Sequence, residues 1–249
     1  MKKIITILTC GLSVSAFAYI LSPTRATLFL SLLFTWGVVA VALWLDEKIK
    51  TKGNQWLNKI LYYLTRRSED YDYQNMEITY SCLSNHKYEC RSIIDLQANK
   101  PIRNINEHFR WSTDSSAAII VPYDETHRVR GLHQENDWTY YSVDFGRLYR
   151  KYETIITGSK ITNLNDPNNL AVPFLSYTVV RKTKQLTLTV EFPEDGLPNG
   201  DVVFKTKAFN KEIGTPKVLR YNSEIEGFSE TIMYPRKGWQ YIISWEKNR

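Results

Sequence analysis

Three cysteines in 249 residues, Cys10, Cys82 and Cys90, form no C-x-x-C pair. Four histidines, His86, His108, His127 and His133, form neither an H-E-x-x-H motif nor any pair at helical metal-ligand spacing. There is no G-x-S-x-G elbow, no Walker loop and no G-x-G-x-x-G, and the carboxylates are dispersed along the chain. These absences remove the sequence grounds for a metal, a cofactor or a catalytic residue, and the expectation is a protein that is not an enzyme. An anchored enzyme would need a pocket of converging titratable groups. Net charge is equally uninformative about nucleic acid. The total is +6, but residues 1–74 hold nine Lys/Arg against five Asp/Glu, while residues 75–249 hold 23 against 21. Most of the excess lies beside the apolar N-terminal part, where basic residues set topology and meet anionic lipid.

What the N-terminus does have is apolar length. Ile4 to Leu21 and Leu28 to Leu45 are each 18 residues without a charge. At about 1.5 Å per helical residue each run covers roughly 27 Å, close to a bilayer's hydrocarbon core. The connector, Ser22 to Thr27, contains Pro23, which ends a helix. Two readings compete. Lys2 and Lys3 followed by an apolar run and Ala16-Phe17-Ala18 resemble a cleavable signal peptide, and cleavage stays open. A second run after six residues favours a two-helix transmembrane hairpin over residues 1–46. Lysines at both ends, against Arg25 alone between the runs, orient both termini toward the cytoplasm. Neither run contains a charge, which argues against an ion-coupled transporter. Gly11 with Ser15, and Ser31 with Thr35, are small residues four apart that would let helices associate, within one hairpin or between copies.

Residues 47–74 continue as a basic amphipathic helix and linker. Trp56, Leu57, Ile60, Leu61 and Leu64 fall on one face, and the acidic "SEDYDY" leads onward. Residues 75–249 read as an all-β domain, an antiparallel sandwich or barrel. Met76, Ile78 and Tyr80 alternate, as do Leu186, Leu188, Val190 and Phe192. Turn clusters stand at 165–169, 193–200 and 236–238. In the last strand Trp239, Tyr241, Ile243 and Trp245 share a face and read as core.

Two basic clusters could take an anionic ligand. His127, Arg128 and Arg130 lie near a turn at Gly131. Arg147, Arg150 and Lys151 lie among Tyr149 and Tyr152, a mixture able to hold phosphate and stack a base. The whole arrangement resembles the two-transmembrane, β-rich effectors of bacterial antiphage systems, those of cyclic-oligonucleotide (CBASS) defence and the one that accompanies some retrons. The resemblance implies an inner-membrane protein of abortive infection. Its cytoplasmic domain would sense a cyclic oligonucleotide or a reverse transcriptase with its RNA–DNA hybrid, and its spans would then disrupt the lipid bilayer. The rival reading is a membrane-tethered β-sandwich binding module whose anchor is passive.

Overall fold

The computed structural model describes residues 69–83, 87–111, 118–135, 137–165, 173–193 and 196–246, together with Gly37, Lys59 and Tyr62. The chain divides into two units, Met1–Asn54 and Gln55–Arg249. Among the described residues of the second are fourteen strands: β1 (Tyr71–Cys82), β2 (Lys87–Ala98), β3 (Ile102–Arg110), β4 (Ile119–Pro122), β5 (Arg128–Glu135), β6 (Trp138–Tyr149) and β7 (Thr154–Asn165). They continue with β8 (Phe174–Thr178), β9 (Thr183–Glu191), β10 (Val203–Ala208), β11 (Lys211–Glu212), β12 (Lys217–Val218), β13 (Gly227–Met233) and β14 (Trp239–Ser244).

The strands form three sheets. The largest runs β13-β9-β1-β2-β7-β4, a second runs β11-β10-β14-β8 with β12 on β10, and the third is β3-β6-β5. Every pairing is antiparallel except β1 with β9, which run parallel from Tyr73 opposite Thr183 to Ser81 opposite Glu191. One core joins all three sheets: Leu186, Leu188 and Val190 from the first, Leu175 and Ile243 from the second, Ile105 and Val143 from the third. Ring contacts tie them further, with Phe192 and Tyr80 5.3 and 5.9 Å from Trp245.

The expected alternations hold in β1 and β9, and in part in β14, where Ile242 on the opposite face is buried as well and Trp239 and Trp245 are half-buried against the core. Met76, Ile78, Tyr80, Leu186, Leu188, Val190, Phe192, Tyr241 and Ile243 are all buried. On the outer face the alternate residues build a hydroxyl ladder, Thr187 against Thr231 and Thr189 against Ser229. Cys82 and Cys90 are free thiols, and burial pushes both up to about 12.

Three expectations are corrected. A helical hairpin followed by a β domain is not the architecture found: the described elements are all strands, and no described helix is long and apolar enough to cross a membrane. Residues 1–46, including Gly11, Ser15, Ser31 and Thr35, lie outside the described residues apart from Gly37. Second, the acidic "SEDYDY" stretch is not a linker. Tyr71 and Tyr73 are buried in β1, because a bulge between Tyr73 and Asn75 shifts the register. The extra residue moves the inward positions from odd to even numbers, so Tyr71 and Tyr73 face the same core as Met76, Ile78 and Tyr80. Third, the domain is not purely antiparallel, since β9 joins β1 in parallel. Lys59 and Tyr62 are helical; the rest of the expected amphipathic helix up to residue 68 lies outside the described residues.

Candidate nucleotide-binding face

The three-stranded sheet β3-β6-β5 turns Ile105, Tyr141, Val143 and Phe145 inward. Tyr141 fixes it to the large sheet through a 2.7 Å hydrogen bond between its hydroxyl and Ser159 Oγ. Alternation then sends Trp138, Tyr140, Ser142 and Asp144 outward. Cross-strand register sets rows on that face: His108, Tyr140 and His133 form one, Asn106, Ser142 and Arg130 the next, and Asn104, Asp144 and Arg128 a third.

The first row is a ring stack. His133 lies 5.1 Å from Tyr140 at an interplanar angle of 15°, His108 lies 5.8 Å from Tyr140 on the other side, and Trp138 meets His108 edge-on at 5.0 Å. Trp138 is 37% exposed, and burial pushes the His108 imidazole down from its ordinary value, which keeps it neutral at physiological pH. Beyond the rings the face is charged. Asp144 accepts from Arg130 at 3.2 Å and faces Arg103 at 3.7 Å. The Gly146 N–H, with help from Arg130 and Arg103, holds the Asp144 carboxyl below the usual carboxylate range. Arg110 pairs with Asp137 at 2.6 Å. Arg128, opposite Asp144 in register, makes no ion pair among the described residues. With Tyr140 flanked by both imidazoles, the ring surface left open belongs to the exposed His133 and Trp138 at the ends of the stack, and open rings next to guanidinium groups stack bases and hold phosphates.

Arg128 and Arg130 are thus brought onto this face, whereas His127 from the same stretch turns into the core against Phe145 and Thr157. The second predicted cluster sits past a bulge at the far end of β6. There Arg147 stacks 3.9 Å from the Tyr149 ring centroid and Lys151 4.8 Å from that of Tyr152. Arg150 donates its backbone N–H to Glu153, and the Tyr152 N–H bonds to Ala98 O at 2.7 Å. These cations already occupy their own aromatic faces, so the cluster offers charge but little open stacking area. Sequence reasoning missed His108, His133, Trp138, Tyr140 and Asp144. The available signal was the "WTYYSVD" run, whose outward positions hold aromatics.

Titratable groups converge at a second place. The Tyr73 hydroxyl donates to Glu107 Oε1 at 2.8 Å, and burial pushes that carboxyl up to about 7. Burial also raises Tyr71 to about 12 and Tyr177 and Tyr141 higher still, while the Arg181 guanidinium lies 4.1 Å from the Tyr71 ring centroid. Beside them is a cavity of about 220 Å³ lined by Tyr71, Arg181 and residues 101–106. The Tyr71 hydroxyl has no hydrogen-bond partner there, lying near Tyr73 and the Asn106 backbone without bonding geometry to either. Phenols raised this far are poor nucleophiles at neutral pH, and of the nearby carboxyls Glu107 has its Oε1 bonded to Tyr73, Glu69 lies 3.7 Å from Arg181, and Asp70 pairs with Lys100. Among the described residues no three His, Cys, Asp or Glu side chains cluster to hold a metal ion.

No protein-family model matches the chain, and no curated protein matches it in sequence. Among solved structures it is similar to a two-domain M1 zinc metallopeptidase, at 12% identity over 70% of this chain and 42% of that one with a TM-score of 0.39. It is also similar to an M1 zinc metallopeptidase from Deinococcus radiodurans, at 11% identity over 71% of this chain and 42% of that one with a TM-score of 0.36. The chain spans less than half the length of these enzymes. A likeness this distant carries no inference about activity.

Proposed function

We propose that the β domain is the sensing module of a membrane-associated effector of bacterial antiviral defence, and that its β3-β6-β5 face takes a nucleotide-bearing ligand. The observation that carries this reading is the His108–Tyr140–His133 row with the unpaired Arg128 two rows away. Bases would stack on the rings while phosphates meet Arg128 and, further on, Arg147 in β6 and Arg150 just past it. A cyclic oligonucleotide and a single-stranded stretch of a ribonucleoprotein present the same chemistry. Ligand binding would bias the protein toward the arrangement that disrupts the inner membrane, which requires different affinity for the resting and active arrangements.

The test is fluorescence anisotropy of the full chain in detergent micelles, with a fluorescein-labelled oligouridylate in one arm and a labelled cyclic dinucleotide in the other. Tyr140→Ala is expected to weaken the bound probe by about 1–3 kcal/mol, the worth of one stacked base. Arg128→Ala should reduce the salt dependence by about one phosphate contact. Absence of binding in both arms, or binding unchanged by Tyr140→Ala, removes the face from consideration.

A further inference from the structure

The β10–β11 hairpin closes through two residues, Phe209 and Asn210, because Ala208 pairs directly with Lys211. Both have left-handed backbone, φ +50° and +62°, as a type I′ turn requires. Asparagine suits that conformation, but a bulky aromatic residue at positive φ is an outlier. Phe209 is also 95% exposed. Strain and a fully solvated ring therefore fall on one residue with no intramolecular contact in return, and such an outlier points to a use outside the fold. Lys207 and Lys211 flank the tip, and neither makes an ion pair among the described residues.

The tip has informative neighbours. Ala208 lies opposite Trp239, and the Trp239 carbonyl accepts from the Val179 N–H at 2.9 Å. The hairpin tip, the turn before β14 and the crossing that follows β8 therefore lie side by side at one end of the second sheet. Arg236 in that turn stacks 4.6 Å from the Trp239 ring centroid. Lys182 in the crossing reaches the ring of Tyr62 at 4.4 Å. Tyr62 precedes the first strand, so the chain approaches the β domain at this same basic, aromatic end.

We propose that this end of the domain docks on an anionic lipid surface, with the Phe209 ring inserted at the headgroup–acyl boundary and Lys207 and Lys211 against lipid phosphates. Apolar rings flanked by lysines bury to about 5–10 Å at that boundary. A lysine at an anionic surface contributes about a fivefold preference. The docking uses residues on a different sheet from the nucleotide face, fails or holds independently of it, and needs neither ligand nor partner.

The experiment places an environment-sensitive nitrobenzoxadiazole dye at Phe209→Cys in the full chain carrying Cys10→Ser. The high-lying thiols of Cys82 and Cys90 keep the label at the chosen position. Parallel labels sit at Asn210→Cys and, as a control, at Glu125→Cys in the exposed turn after β4. In vesicles of phosphatidylglycerol and phosphatidylcholine, the labels at 209 and 210 should shift blue and be quenched by shallow doxyl lipids severalfold more than the label at 125. Lys207→Glu with Lys211→Glu should lower that docking by at least tenfold, and phosphatidylcholine alone should mimic the double variant. Three results overturn the proposal: equal quenching at 209 and 125, a blue shift without lipid quenching (the ring buried against protein instead), or a full chain that does not float with the vesicles.

Discussion

Burial of Glu107 beside Tyr73 ties the stability of the domain to pH. The carboxyl stands at about 7 in the folded chain against an ordinary 4.5. Its contribution is therefore fully present below the unfolded value and is lost as pH rises through 7. Thermal melts should show wild-type stability falling between pH 5 and pH 8 by roughly 1–3 kcal/mol more than in Glu107→Gln. The amide keeps an oxygen for the Tyr73 hydroxyl but has no proton to lose, so the variant should also melt higher than wild type at pH 8. An identical slope in both proteins would mean that some other group sets the dependence. Nothing in the local sequence signals this site. Glu107 meets Tyr73 across 34 residues and two sheets, and a carboxylate in an otherwise exposed strand reads as surface. Tyr71 and Tyr73 were hidden for a related reason, because one bulged residue breaks the period-two pattern that would have marked them as core.

Strand pairing is least forgiving where backbones approach too closely for a side chain. Gly158 in β7, at φ +144°, pairs with Ile93 of β2, and a Cβ there would lie 2.0 Å from the Ser92 carbonyl oxygen. Gly158→Ala should destabilise the domain by more than about 2 kcal/mol, read as a lower urea midpoint. Retention of the wild-type midpoint would show that the two strands can separate without penalty. The legibility of elements followed the same logic of faces. β1 beyond its bulge and β9 have one apolar and one polar face, and both could be read; in β14 the alternation marks Tyr241 and Ile243, though Ile242 on the other face is buried too. β3, β5 and β6 could not. In β6, Tyr141, Val143 and Phe145 point inward while Trp138 and Tyr140 point outward, so both faces are aromatic. In β5 every residue but Val129 is exposed, which leaves no alternation at all. The candidate face is built from these three strands. Arg128 and Arg130 were visible as a basic cluster, yet the ring row they border depends on register between strands, which no local pattern encodes.

Across the whole described domain one core serves three sheets. The buried sets of each sheet meet in a single cluster, and Trp245 touches rings from the first sheet while lying just beyond the last strand of the second. Unfolding should accordingly be one cooperative transition. Near-ultraviolet circular dichroism, which follows the tyrosines and tryptophans, should lose signal at the same temperature as the far-ultraviolet β band. Separated midpoints would mean that one sheet melts on its own.

The parallel pairing of β1 with β9 also has a temporal side. Ser81 and Glu191 hydrogen bond at 2.6 Å, yet 110 residues of chain separate them. At roughly 5–20 residues per second of synthesis, β2 reaches β1 almost at once, but the other edge of β1 stands open for about 5–20 s before β9 leaves the ribosome. During that interval Met76, Ile78 and Tyr80 sit on a hairpin with an uncovered apolar face, open at both edges until β7 pairs with β2 and then at the β1 edge alone, the form in which strands most readily recruit the wrong neighbour. The nascent chain is therefore most in need of a holding chaperone between the completion of β2 and the arrival of β9.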